Sequence, residues 1–285
     1  MSAGAVAEAG DFLAGMAQAS RARLAEARAR TPASRLLELV ANLAPPPPLR
    51  LSPQGFDLIA ELKLRSPALG TLRDAGAEDV AARVRDYVAG GAAAVSVLTE
   101  PSRFDGSLRH LERAAVALAP DGVPAMRKDF LVDPYQVLEA RAAGAGGVLV
   151  ILRMLERSVL EALIDQALAL RMFVLLEAFD EADADLAHAL VEAHPQAGDA
   201  LLVGLNCRDL VTLQVVPGRL EALVDRLPAG TARVAESGLE TPADAARLAA
   251  AGYDLALVGG ALMREGDPRR LAGDMLAAAR SARGA

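Results

Sequence analysis

The chain has 285 residues, 53% hydrophobic but only 3% aromatic and without Trp, so a core must be built from Ala, Leu and Val. The net charge of -7 and an isoelectric point near 5.1 argue against a nucleic-acid or anionic-membrane partner. One cysteine (Cys207) excludes a disulfide framework, three histidines without paired spacing give no metal motif, and with neither a secretory start nor a membrane-length apolar run the expectation is a cytoplasmic protein.

Residues 1–44 read as helix, with Leu13, Met16, Leu24 and the Leu36–Leu43 run at helical spacing and a break at Thr31-Pro32. Pro45–Pro48 is a stiff spacer, so residues 1–50 form a helical N-terminal extension to one domain of residues 1–285. Short apolar runs follow at Leu58–Glu61, Ala93–Leu98, Val123–Met126 and Gly147–Ile151. Four more lie at Met172–Glu177, Leu201–Leu205, Ala232–Glu236 and Leu255–Val258. Between them lie amphipathic stretches such as Ala77–Ala89, Pro134–Ala143, Leu155–Leu170 and Pro242–Ala251. Several open on Asp or Thr before Pro, and several close on Gly. Continuous apolar strands fit a parallel sheet buried on both faces. Eight β/α units over residues 51–285 predict a (β/α)8 TIM barrel. A doubly wound open sheet is the rival, but no G-x-G-x-x-G follows the first strand.

In such a barrel the active site lies at the carboxyl ends of the strands. Of thirty Lys and Arg, only Lys63 and Lys128 are lysine, and each follows an apolar run. Where Arg serves every other cationic position, a retained Lys marks a need for a compact ammonium whose acidity can be tuned. The first strand ends Glu61-Leu62-Lys63, so Glu61 and Lys63 share one face, and point into the barrel mouth if Ile59 faces the axis. Later strands end in Lys128, Glu177, Asn206 and Glu236-Ser237. Glu61, Glu177 and Glu236 balance Lys63, Lys128 and Arg208 in a network that permits coupled pKa shifts. Ser237-Gly238 after the seventh strand and Gly259-Gly260 after the eighth occupy the positions of a barrel phosphate site, and Ser66 lies close enough in sequence to join it.

These residues resemble the indole-3-glycerol-phosphate synthase family of tryptophan biosynthesis. The matching segments are IAELKLRSP (59–67), GGAAAVSVLTE (90–100), RFDGS (103–107), RKDFLVDPYQ (127–136), VLLEAFD (174–180), VGLNCRDL (203–210), VAESGL (234–239) and LVGGALM (257–263). The resemblance implies a lyase that converts 1-(2-carboxyphenylamino)-1-deoxyribulose 5-phosphate to indole-3-glycerol phosphate by ring closure, decarboxylation and dehydration. It implies Lys128 as general acid, Glu177 as general acid/base, and Lys63 as a second acid or carboxylate partner. Glu61 and Asn206 would orient Lys128 and bind hydroxyls. Arg208 would anchor the anthranilate carboxylate, Glu236 and Ser237 would contact the sugar, and Phe104 and Phe130 would pack on the ring. Ser66, Gly238, Gly259 and Gly260 match the phosphate cradle. Attack on a ketone needs proton donation to oxygen, and an ammonium with a lowered pKa is expected to supply it. No cofactor or metal is expected, and the partner is a small phosphorylated substrate of a monomer or weak homo-oligomer.

Two departures from the family pattern stand out. The first loop reads Ser66-Pro67-Ala68-Leu69-Gly70 where a second serine is usual, and Phe179 replaces a commoner polar residue. They leave as the alternative a diverged phosphate-binding paralogue of a specialised pathway, or a non-catalytic scaffold. Cys207 and Arg127 are expected to point away from the cavity.

Overall fold

The computed structural model describes residues 3–74 and 76–284. Helix α1 (Ala3–Arg30) and helix α2 (Ala33–Ala41) come first, separated at Thr31-Pro32 as the sequence predicts. Eight parallel strands then close into a barrel: β1 (Asp57–Leu62), β2 (Ala94–Leu98), β3 (Ala125–Lys128), β4 (Gly147–Ile151), β5 (Phe173–Ala178), β6 (Leu201–Asn206), β7 (Ala232–Glu236) and β8 (Leu255–Val258). Each strand pairs with its sequence neighbours and β8 pairs back with β1, so the structure is a (β/α)8 barrel.

Strand alternation sorts the side chains into two cores. Ile59, Met126, Leu149, Leu175, Leu202 and Val234 meet along the barrel axis. Leu58, Ala60, Val95, Val148, Val174 and Val203 face outward against the helices. Burial on both faces is why the strands read as unbroken apolar runs rather than alternating ones. The surrounding helices start on side-chain caps. Asp79 accepts from Ala81 and Ala82 N–H, so that helix begins at Val80, three residues later than its amphipathic pattern. Asp133, Asp180 and Thr241 cap three others.

Strand β3 is displaced from its expected span. It begins at Ala125 because Pro124 has no N–H for the ladder and contributes only its carbonyl, which accepts from Val95 N–H at 3.0 Å. It runs on through Lys128, which is a strand residue and not a loop residue. A two-stranded hairpin of Arg65–Ser66 and Gly70–Thr71 follows β1, an element the sequence did not announce.

Helix α1 lies across the carboxyl end of the barrel. Leu13 and Met16 join the axial core, and the Phe12 ring meets the Phe130 ring edge-on at 6.1 Å. Further along α1, Ala17, Leu24 and Ala27 pack with Tyr135 and Leu138. Arg23 donates to Asp129 at 2.8 Å and to Glu100 at 3.4 Å, tying the helix to the loops after β3 and β2. No helix among the described residues is long and apolar enough to cross a membrane.

Candidate active site

All fourteen residues singled out at the strand ends line one pocket at the carboxyl face of the barrel. Its floor is ionic. Lys63 Nζ lies 2.5 Å from Glu61 Oε1, so the two groups that alternation placed on one face of β1 are in contact. Lys128 Nζ stands 3.5 Å from Glu177 Oε1 and 3.7 Å from Glu236 Oε2. Asn206 donates from Nδ2 to Glu177 Oε1 at 2.7 Å and accepts at Oδ1 from Arg208 N–H at 2.9 Å. Asn206 therefore holds Glu177 in place and also shapes the loop after β6. The Arg208 guanidinium donates to Leu213 O at 2.6 Å, which fixes it at the pocket edge.

Two glycines make room for the carboxylates. A Cβ at Gly204 would overlap Glu236 Oε1, and one at Gly259 would overlap Glu61 Oε1. Gly259, expected only as a phosphate donor, thus also seats Glu61. Burial pushes each of these carboxyls up, and the neighbours decide the outcome. For Glu61, Lys63 and Lys128 win, and its pKa lies below the ordinary value. For Glu236, the adjoining Glu177 adds to burial, Lys128 does not compensate, and its pKa stands well above the ordinary carboxylate value. Both Glu236 oxygens are buried with no hydrogen-bond donor.

Lys128 corrects an expectation. Burial alone would make it a stronger acid, but Glu177, Glu236 and Glu61 surround it, and its pKa is raised, not lowered. Sequence could count the carboxylates but not their distances from the ammonium.

The pocket rim is built from backbone. Ser237 and Gly238 both take left-handed conformations, with φ of +70° and +75°, which is strained for serine. Gly238 Cα faces the Cys207 thiol, which is buried in the outer core and points away from the pocket as expected. Arg127 likewise faces the helix layer, donating to Gln136 O at 2.9 Å. The N–H groups of Gly238, Gly259 and Gly260 have no backbone acceptor among the described residues. Ser66 is buried, and its Oγ accepts from Ala68 N–H at 3.3 Å.

One wall is apolar. Phe104 and Phe130 lie 6.2 Å apart, and Phe12 and Leu13 of α1 complete the wall. Helical spacing marked Leu13 as buried, but nothing local said what it would cover. Phe179 also lines the pocket, with the Arg153 guanidinium 4.9 Å from its ring centroid.

A family model described as indole-3-glycerol phosphate synthase matches residues 13–274. The chain belongs to that family. An indole-3-glycerol phosphate synthase of Beutenbergia cavernae is 45% identical over 221 residues, covering 78% of this chain and 77% of that one. One from Mycobacterium leprae is 41% identical over 242 residues, covering 84% of each. Two solved structures share the fold alone. Thiamine phosphate pyrophosphorylase from Pyrococcus furiosus has a TM-score of 0.56 at 15% identity, covering 80% of this chain and 97% of that one. The 3-hexulose-6-phosphate synthase from Salmonella typhimurium has a TM-score of 0.57 at 16% identity, covering 78% of this chain and 97% of its own. The indole-3-glycerol phosphate synthase match takes in α1 from Leu13 onward and all eight strands, so the part of the helix that covers the mouth and the barrel fall within one family model.

Proposed function

We propose that the ionic floor of this pocket performs the indole-3-glycerol phosphate synthase reaction, with Lys128 as proton donor for ring closure. The enzyme is a decarboxylating lyase of tryptophan biosynthesis. The observation that carries the assignment of roles is the Lys128 ammonium held among the buried carboxyl groups of Glu177, Glu236 and Glu61 at the strand ends.

The substrate is 1-(2-carboxyphenylamino)-1-deoxyribulose 5-phosphate. Closure joins the ring carbon bearing the carboxylate to the ribulose carbonyl carbon, and the oxygen gains charge as the bond forms. An alkoxide is far more basic than an amine, so a Lys128 with a raised pKa still transfers its proton to it. The C–CO2 bond then breaks, and its electron pair neutralises the cationic ring nitrogen. Dehydration follows. The hydroxyl leaves as water with a proton from Lys63, and Glu177 takes a proton from the carbon next to nitrogen. Two protons are given and one is taken, so each turnover consumes one proton, which matches the loss of the carboxylate charge.

The remaining positions bind. Phe104 and Phe130 supply an apolar face for the aromatic ring. Arg208 stands at the edge where it reaches the substrate carboxylate, and Asn206, Glu61 and Ser237 reach the sugar hydroxyls. The unpaired N–H groups of Gly238, Gly259 and Gly260, with Ser66, receive the phosphate. A dead scaffold would have no use for so many buried, opposed charges, which are unfavourable to bury unless used.

The test is Glu177→Gln, assayed by indole fluorescence on the carboxyphenylamino-ribulose phosphate. Turnover should fall by roughly 10²–10⁴, the usual worth of a positioned acid/base, with the melting curve little changed. Activity within a few-fold of the parent would remove Glu177 from the chemistry.

A further inference from the structure

We propose that Glu236 begins each turnover as a neutral carboxylic acid, sharing its proton with Glu177, and that it returns a proton to Lys128 after ring closure. This rests on the reading of Lys128 as the closing acid. It assigns Glu236 a role through Lys128, beyond a contact with the sugar.

The geometry comes first. Glu236 closes β7, and its carboxyl bends into the space left by the missing Cβ of Gly204. Neither oxygen has a donor among the described residues, although both are buried. An ionised carboxylate in that setting would have no hydrogen-bond donor and only a distant ammonium to offset its burial. Its one cationic neighbour, Lys128, is 3.7 Å away, beyond hydrogen-bond length, and that ammonium is nearer to Glu177. The other charged groups facing Glu236 are Glu177 from β5 and Glu61 from β1, both acidic. Lys63 is engaged by Glu61, and Arg208 by Leu213 O. Glu177 already accepts from Asn206, so it is the better-solvated carboxylate of the pair. Two adjoining carboxyls, one with donors and one without, hold a single proton on the one without. The raised Glu236 pKa agrees with this placement.

Such a proton has work in this reaction. Lys128 loses its proton when the alkoxide forms, which leaves a neutral amine beside Glu177. Transfer from Glu236 breaks one O–H bond, forms one N–H bond and restores the ammonium before dehydration. When Glu177 later takes the proton from carbon, it passes it across the shared contact to Glu236. Lys63, which is partly exposed, recovers its own proton from water. One solvent proton is consumed, and every group ends as it began.

Infrared difference spectra of the substrate-free parent and E236Q at neutral pH test the protonation directly. The expected result is a protonated-carboxyl C=O stretch present in the parent and lost in E236Q. A parent without that band, or a band that survives the substitution, overturns the proposal. Turnover in E236Q should fall by about 10²-fold while the Michaelis constant changes little, since a glutamine carries no transferable proton. A Michaelis constant raised with turnover intact would make Glu236 a sugar contact only and also overturn the proposal. Melting curves show whether the variant folds. A parent protein that shows the band yet forms no indole would instead refute the functional reading, so the two failures are separable.

Discussion

Two buried ionic clusters lie side by side at the top of this barrel, and they differ in one respect. Around Asp129 every oxygen is engaged. Arg23 donates at 2.8 Å, Thr99 at 2.7 Å, Arg127 at 3.2 Å and Phe130 N–H at 2.8 Å. Burial pushes the Asp129 carboxyl up, but Arg127 and Arg23 hold it below the ordinary carboxylate value. Around Glu236 neither oxygen has a hydrogen-bond donor, and its pKa goes the other way. The same residue chemistry at similar depth therefore makes a fastener in one place and a proton holder in the other. What separates them is donor supply, not burial.

Three substitutions sharpen that contrast. The largest effect should come from Lys128→Arg. The charge is kept, but a guanidinium does not give up its proton at any working pH, and its planar fork needs more room. Turnover should fall by about 10²–10⁴ with melting almost unmoved. Near-normal rates with purified protein would end the case for Lys128 as the acid. Asp129→Asn should do the reverse. It leaves the Arg127 guanidinium, buried beside it, without its main carboxylate, and should cost about 3 kcal/mol in urea unfolding. A loss below a few tenths of that would show the cluster to be ornamental.

The smallest effect is the most diagnostic, because it has opposite signs in the two clusters. Asp129 has a depressed native pKa, so its stabilisation is present above its ordinary value of 3.8 and is lost as pH falls through the native value. Glu236 has a raised native pKa, so the folded state holds its proton more tightly than the unfolded one. Its contribution is therefore fully present below the ordinary value of 4.5 and declines as pH rises toward the native value. Glu236→Gln should accordingly melt higher than the parent near neutral pH, by about 2–4 °C for roughly 1 kcal/mol, with the gain vanishing in acid. Asp129→Asn should approach the parent only in acid. Parallel melting curves for the parent and Glu236→Gln across that range would contradict a buried, protonated Glu236.

Much of this was readable in the sequence, and the boundary is physical. Strand alternation put Glu61 and Lys63 in one mouth and turned Arg127 and Cys207 outward, because side-chain direction in a strand is a local property. The eight-fold repeat gave the barrel for the same reason. The start of β3 was misread because apolar content at Val123 concealed what Pro124 does to a hydrogen-bond ladder. The Arg23–Asp129 link joins residues 106 positions apart, and no local pattern encodes it. The direction of the Lys128 shift depends on acidic side chains from three strands converging on it, so the expectation from burial alone had the wrong sign. Donor supply around Glu236 is an absence, and an absence leaves no motif.

The two seats for carboxylates, Gly204 and Gly259, bear on how this chain can drift. Glycine and alanine codons differ by a single nucleotide, and alanine is the commonest residue of the chain. At Gly147 of β4 the added methyl would meet only the apolar Phe173 ring. At 204 it would evict Glu236, and at 259 it would evict Glu61, because the added methyl occupies the space of a carboxylate oxygen. The fold would survive while the charge arrangement did not. Loss of chemistry without loss of structure is thus one transversion away at two sites, and a barrel of this kind becomes a silent relative most easily through its glycines.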